Sequence, residues 1–135
     1  MIQERPLILV VEDDQQTREL YEYVLRMAGY DVAIARDGLA ALRILEQHLP
    51  DVILLDLDLP HVSGFDVHQE VLAHAETASI PIVVVTGTTW APPAGVFRAL
   101  QKPISSDVVM STLREALTRD DAAAATKEGS DQRPR

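Results

Sequence analysis

Apolar and polar positions along the chain follow two alternating rhythms. Leu7-Ile8-Leu9-Val10-Val11 is an unbroken apolar run, the pattern of a strand covered on both faces. Residues 15–28 follow, with Leu20, Val24, Met27 and Ala28 at helical spacing, and Gly29 is placed to end that helix. Residues 31–35 read as a short strand. Leu39, Leu42, Leu45 and Leu49 mark a second helix that stops before Pro50. Residues 52–55 form the central strand and 60–64 a loop. Phe65, His68, Val71, Leu72 and Ala75 make a third helical face. Residues 80–85 are a fourth strand, with Pro81 near its start. A shorter fifth strand is expected over 96–101. Ser105 or Ser106 can cap a last helix whose apolar face is Val108, Val109, Leu113 and Leu117.

Strand and helix in alternation predict an α/β fold, a parallel sheet with helices on both faces. One stretch breaks the rhythm. Residues 87–95 hold Pro92, Pro93, Gly87 and Gly95, which cannot sit in a normal long helix. Beyond Arg119 an alanine-rich stretch gives way to polar residues. The expected organisation is one domain over 1–119 and a frayed, then disordered, C-terminal tail over 120–135.

Composition narrows the function more than the fold. The 135 residues carry 21 acids against 12 bases, a net charge of −9. That balance argues against direct binding to nucleic acid, which usually needs a basic face. No cysteine is present, so disulfides and thiolate metal sites are excluded. No apolar stretch approaches the roughly 20 residues that span a bilayer. Residues 1–6 lack the basic-then-apolar form of a signal peptide. The expected location is cytoplasmic.

The candidate chemistry lies where the strands stop. Glu12-Asp13-Asp14 follows the first run, Asp56 ends the third, Thr86 follows the fourth and Lys102 the fifth. Open α/β sheets bind ligands in the crevice outside these ends. Glu12, Asp13 and Asp56 would repel one another unless a cation or protons neutralised them. Oxygen donors of this kind suit Mg²⁺. A blander reading has Glu12-Asp13-Asp14 merely placing negative charge at a helix start. Asp56 on a separate strand end favours the metal site, with Asp14 as the helix cap. Asp56 itself can be ligand or nucleophile, since carboxylates form aspartyl-phosphates. Attack on a phosphoryl group needs its charge neutralised and its geometry in line, rather than a base. The Thr86 hydroxyl and the Lys102 ammonium can supply that. Taken alone, each would be an ordinary strand threonine or a surface lysine.

The chain resembles a response-regulator receiver domain of two-component signalling. The resemblance is carried by residues 7–14 (LILVVEDD), 50–60 (PDVILLDLDLP), Ser63-Gly64, residues 83–86 (VVVT) and 101–104 (QKPI), and it covers about residues 5–119. It implies a doubly wound, five-stranded, flavodoxin-like sheet of order 2-1-3-4-5. It implies that Asp56 is the phosphoacceptor, Asp13 the direct Mg²⁺ ligand, Glu12 its water-linked neighbour and the Asp58 carbonyl a third protein ligand. Thr86 resembles the switch hydroxyl, Gly87 the small residue that leaves room for the phosphoryl group, and Lys102 the lysine that pairs with it, followed by a cis bond to Pro103. The implied partners are a histidine kinase or phosphotransfer protein and a downstream protein target, for a monomer or weak homodimer. Apart from its own phosphorylation and dephosphorylation, no enzymatic turnover is implied.

Two departures stand out. The family usually has an aromatic residue three positions before the lysine, where this chain has Ala99; Phe97 and Trp90 are the candidates to stand in for it. The family also usually has a full helix before the fifth strand, where this chain has residues 87–95. It therefore resembles the single-domain receivers with a Thr-Gly signature and a short or missing fourth helix. Asp58 is expected to alter the lifetime of the phosphorylated state. His48, His61, His68 and His74 share no ligand spacing and are expected at the surface, with His61 placed to touch a partner.

Two rivals compete. Residues 52–58 also fit the DxD signature of haloacid-dehalogenase-like phosphatases, with Asp56 as nucleophile, Asp58 as general acid, and Thr86, Lys102 and Asp120-Asp121 as later motifs. Against this, Asp120-Asp121 follow a helix rather than a strand, and Glu12-Asp13 would have no task. The other rival is a pseudo-receiver, a protein-binding module that no longer switches.

Overall fold

The computed structural model describes residues 5–59, 62–87 and 93–130, with side chains as far as Thr118. The elements are β1 (Leu7–Val11), α1 (Gln15–Met27), β2 (Asp31–Ala35), α2 (Gly38–Gln47), β3 (Val52–Asp56), α3 (Gly64–Ala73), β4 (Ile82–Thr86), β5 (Arg98–Gln101) and α4 (Ser106–Ser130). All strands are parallel, in the order β2-β1-β3-β4-β5. The strand order reverses between β1 and β3, so a crevice opens at their carboxyl ends. This is the expected flavodoxin-like architecture.

Strand alternation splits the core in two. Leu9, Val11, Ile53, Leu55, Ile82 and Val84 face Ala41, Val67 and Val71 of α2 and α3. Ile8, Val10, Val52, Leu54, Val83 and Val85 face Tyr21 and Leu25 of α1 and Val109, Leu113 and Ala116 of α4. The three central strands are apolar at successive positions because both of their faces are covered. Each fully buried aliphatic side chain contributes about 1.5–3 kcal/mol.

Local chemistry sets the helix ends. Asp14 caps α1, accepting from the Thr17 amide at 2.9 Å and the Thr17 hydroxyl at 2.6 Å. Ser63 and Asp66 form a reciprocal capping box on α3. Of the two serines before α4, Ser105 is the cap, taking the Val108 amide at 3.3 Å.

Several inward faces differ from those expected. In α1 the buried residues are Tyr21 and Leu25, while Leu20 and Met27 are 49% and 72% exposed. This helix has more apolar residues than one face can hold, and contact with the sheet selects among them. In α3, Val67 is buried and Leu72 exposed; in α2, Ala41 is buried and Leu39 exposed. Leu49 lies beyond the end of α2 and is exposed. Val108 of α4 is likewise exposed.

Among the described residues no helix lies between β4 and β5. The backbone of α4 runs to Ser130, past Arg119, through the four alanines 122–125, the residue type of highest helix propensity. No helix among the described residues is long and apolar enough to cross a membrane.

Candidate functional site

The site is built on the ends of β1, β3, β4 and β5. Glu12 continues the ladder one residue past β1, its amide donating to the Ala35 carbonyl at 3.0 Å. This turns its carboxylate under the crevice, where the residue is only 2% exposed. Oε2 accepts from the Asp14 amide at 3.1 Å, and Oε1 is buried without a hydrogen-bond partner. Burial pushes the Glu12 carboxyl up to about 7; the Asp14 amide opposes the rise and the Asp56 charge adds to it. Asp13 is exposed beside it. Arg18 steadies this turn from α1, donating to the carbonyls of Glu12 and Asp13 at 3.1 Å each.

Asp56 is the last residue of β3 and 3% exposed. Its Oδ1 accepts from the Asp58 amide at 2.9 Å and its Oδ2 from the Lys102 ammonium at 3.2 Å. Gly64 permits this placement, because a Cβ there would lie 2.5 Å from the Asp56 carbonyl oxygen and from the Leu57 Cα. Carboxylate oxygens of Glu12, Asp13 and Asp56 all lie within 4.8 Å of one another. Three acids this close, one with an unpartnered buried oxygen, form a donor set that suits a hard cation.

Lys102 follows β5. Its amide donates to the Thr86 carbonyl at 2.8 Å, tying the ends of β4 and β5 together. Its ammonium lies 3.2 Å from Asp56 and 3.9 Å from Glu12. Burial pulls the lysine pKa down, but Asp56 and then Glu12 outweigh it and hold the group above the usual lysine range. The Lys102–Pro103 bond is cis. Thr86 is buried at the end of β4, one position beyond Val85, the register partner of Asp56. Glu12, Asp13, Asp56 and Lys102 therefore meet in one crevice, and Thr86 ends the adjacent strand.

Three features leave no signal in the pattern of residues. The Asp58 carboxylate accepts the Gly87 amide at 2.9 Å, bridging the loops after β3 and β4. Arg18 clamps the acidic turn, for which helical spacing gives no warning. Tyr21 is buried under the site, and its hydroxyl is pushed up by burial and then by Glu12.

The histidines need one correction. His68 is 4% exposed, with Nε2 buried and unpartnered, while His48 and His74 are exposed. Its place on the apolar face of α3 was the signal for burial. Phe97 also does not take the place of the missing aromatic. It packs with the α1 and α4 core, whereas Ala99 belongs to the opposite core, since the sheet separates them. Trp90 and His61 lie outside the described residues. Asp120-Asp121 fall within α4 rather than at a strand end, which removes the phosphatase pattern's last motif from the crevice.

Residues 8–114 match the response regulator receiver domain family, and the chain belongs to it. It is 35% identical over 122 residues to the DNA-binding dual master transcriptional regulator RpaA of a Synechocystis species, an alignment covering 86% of this chain and 51% of that protein. It is 35% identical over 124 residues to the transcriptional regulatory protein KdpE of Mycobacterium tuberculosis, covering 87% of this chain and 54% of KdpE. The chain thus spans about half the length of these curated relatives. Among solved structures, the chemotaxis response regulator CheY4 of Vibrio cholerae superposes with a TM-score of 0.77 at 28% identity, covering 84% of this chain and 99% of that one.

Proposed function

We propose that this chain is a phosphorylation-controlled receiver in a two-component phosphorelay, with Asp56 as phosphoacceptor. The observation that carries this reading is the Lys102 ammonium on Asp56 Oδ2, beside carboxylates of which one holds a buried, unpartnered oxygen. The donor is a histidine kinase or phosphotransfer protein. An O–P bond to Asp56 forms as the N–P bond of a phosphohistidine breaks, and the freed imidazole nitrogen keeps the electron pair and takes up a proton.

Glu12, Asp13, Asp56 and the Asp58 carbonyl would hold Mg²⁺. Bound there, the ion would neutralise charge on the transferred group's oxygens. The remaining tasks fall to the chain itself. Lys102 supports the Asp56 carboxylate and then a phosphoryl oxygen. The Asp58 amide fixes the rotamer of Asp56. The Thr86 hydroxyl is the switch donor. The phosphorylated receiver signals by touching a protein target.

A second reading, the pseudo-receiver, gains support from Ala99 and from Phe97 lying on the wrong face to replace an aromatic there. The test is intact mass after incubation with Mg²⁺ and phosphoramidate. One added phosphoryl group is expected, absent in Asp56→Asn and absent without Mg²⁺. No addition under any condition would leave the binding module as the better reading.

A further inference from the structure

The mouth of the crevice is already bridged. Gly87 N–H donates to Asp58 Oδ2 at 2.9 Å, joining residues 29 apart in sequence. Both backbones are pinned. The Leu57 amide donates to the Val85 carbonyl at 3.1 Å, and the Asp58 amide to Asp56 Oδ1 at 2.9 Å. On the other side, the Lys102 amide holds the Thr86 carbonyl at 2.8 Å. Asp58 and Gly87 are themselves exposed, so the Asp58 side chain can rotate away without opening the core.

A strand-end amide beside a phosphoacceptor is the kind of donor that stabilises a transferred phosphoryl oxygen. Here that donor is occupied by a carboxylate. A phosphoryl group on Asp56 would bring close to two negative charges to the end of β3, two residues before Asp58, and like charges repel. One amide proton is best used by one acceptor, so a phosphoryl oxygen that reaches Gly87 competes with Asp58 Oδ2. An alanine Cβ at Gly87 would sit 3.6 Å from Asp58 Oδ2, an ordinary contact, so the bridge depends on the amide and not on glycine.

Resting on the phosphoacceptor reading above, we propose that Asp58 is a built-in competitor for the phosphoryl group. Its carboxylate holds the Gly87 amide in the resting state, must leave it for transfer to Asp56, and reclaims it when the group departs. Asp58 is thus a positioning residue that slows charging and takes back the Gly87 amide after discharge. The gate is electrostatic and acts on the donor rather than on the nucleophile.

The test compares wild type, Asp58→Ala and Asp58→Asn, each at saturating Mg²⁺ determined separately for that variant. Phosphoramidate is the donor. Asp58→Ala is expected to charge about tenfold faster than wild type, with Asp58→Asn, which keeps an acceptor without the charge, in between. In ¹⁵N-labelled protein the Gly87 amide proton is expected at low field in wild type and to move upfield in Asp58→Ala. Added beryllofluoride should bring the two to the same position. Equal Gly87 shifts in wild type and Asp58→Ala before beryllofluoride would overturn the competitor. So would a charging rate in Asp58→Ala no faster than wild type. Failure of wild type itself to accept a phosphoryl group would overturn both this proposal and the phosphoacceptor reading, which separates the two failures.

Discussion

The Lys102 ammonium reaches Asp56 Oδ2 at 3.2 Å across 46 residues of sequence. Among the described residues it is the cation within 4 Å of Glu12 and Asp56, whose carboxylates cluster with that of Asp13. Without a divalent ion the acids outnumber this ammonium, and the Glu12 carboxyl, pushed up to about 7, relieves part of the excess by holding a proton.

Removing one acid should therefore help the metal-free fold and harm metal binding. Asp13→Asn is expected to raise stability by about 1 kcal/mol in EDTA, since a like charge is relieved. The same change should weaken Mg²⁺ binding at least tenfold. Thermal melts with and without MgCl₂ read both effects. A variant less stable than wild type in EDTA, with unchanged Mg²⁺ stabilisation, would remove Asp13 from the metal set.

Lys102→Ala should act in the opposite sense. It leaves the acids without their cation, so the melting temperature in EDTA should fall, and added Mg²⁺ should recover much of the loss. Lys102 is 34% exposed, and solvent screening limits the deficit to about 1 kcal/mol. Charging by phosphoramidate should slow by at least tenfold, because the transferred oxygens lose a cation.

The two apolar faces of α1 should differ sharply. Leu25→Ala empties a fully buried position and is expected to cost about 2–5 kcal/mol. Leu20→Ala, at a position 49% exposed, should stay within about 0.5 kcal/mol. Urea denaturation of the pair checks the orientation of the helix directly.

Gly64→Ala tests the close approach of α3 to the strand end. Its methyl group would meet the Asp56 carbonyl and the Leu57 backbone, so the helix must shift. A loss of about 1–3 kcal/mol is expected, together with slower phosphorylation because Asp56 is displaced. Unchanged stability would mean that α3 has room the structure does not show.

His68 sets a pH dependence. Its Nε2 is buried without a partner, and burial, the sole cause, lowers its pKa below 6.5. Between the lowered folded value and 6.5 the unfolded chain binds the proton more readily. The neutral ring's stability is therefore fully present above about pH 6.5 and lost as pH falls towards the folded pKa. A Cβ at Gly95 would lie 3.8 Å from Nε2, so acid should loosen the backbone at Gly95 first. Urea melts at about pH 7.5 and 5.5 are expected to show a larger drop for wild type than for His68→Leu. Equal drops would show that the ring finds a partner when protonated.

Much of this protein was legible as pattern. Runs such as residues 7–11 and 52–55 announced strands covered on both faces, and the strand–helix rhythm implied a parallel sheet. Residues 87–95 forbade a long helix before β5 by their prolines. Acids, hydroxyl and ammonium at strand ends were readable because a parallel sheet sends all of those ends to one edge. Side-chain direction was not readable where choices were nearly equal. Leu20 and Leu25 are the same residue in similar helical rhythm, and only contact with the sheet decides which is buried. His68 sat on an apolar helical face, a signal for burial that its polar type masked. Phe97 and Ala99 are two residues apart, yet they belong to opposite cores. The sequence alone determined which elements form and which chemistry gathers at their ends, because periodicity and residue type are local. Tertiary structure alone decided the Asp58–Gly87 bridge, the burial of Glu12 and the reach of Lys102 to Asp56, because each depends on distances between segments that meet only when the sheet assembles.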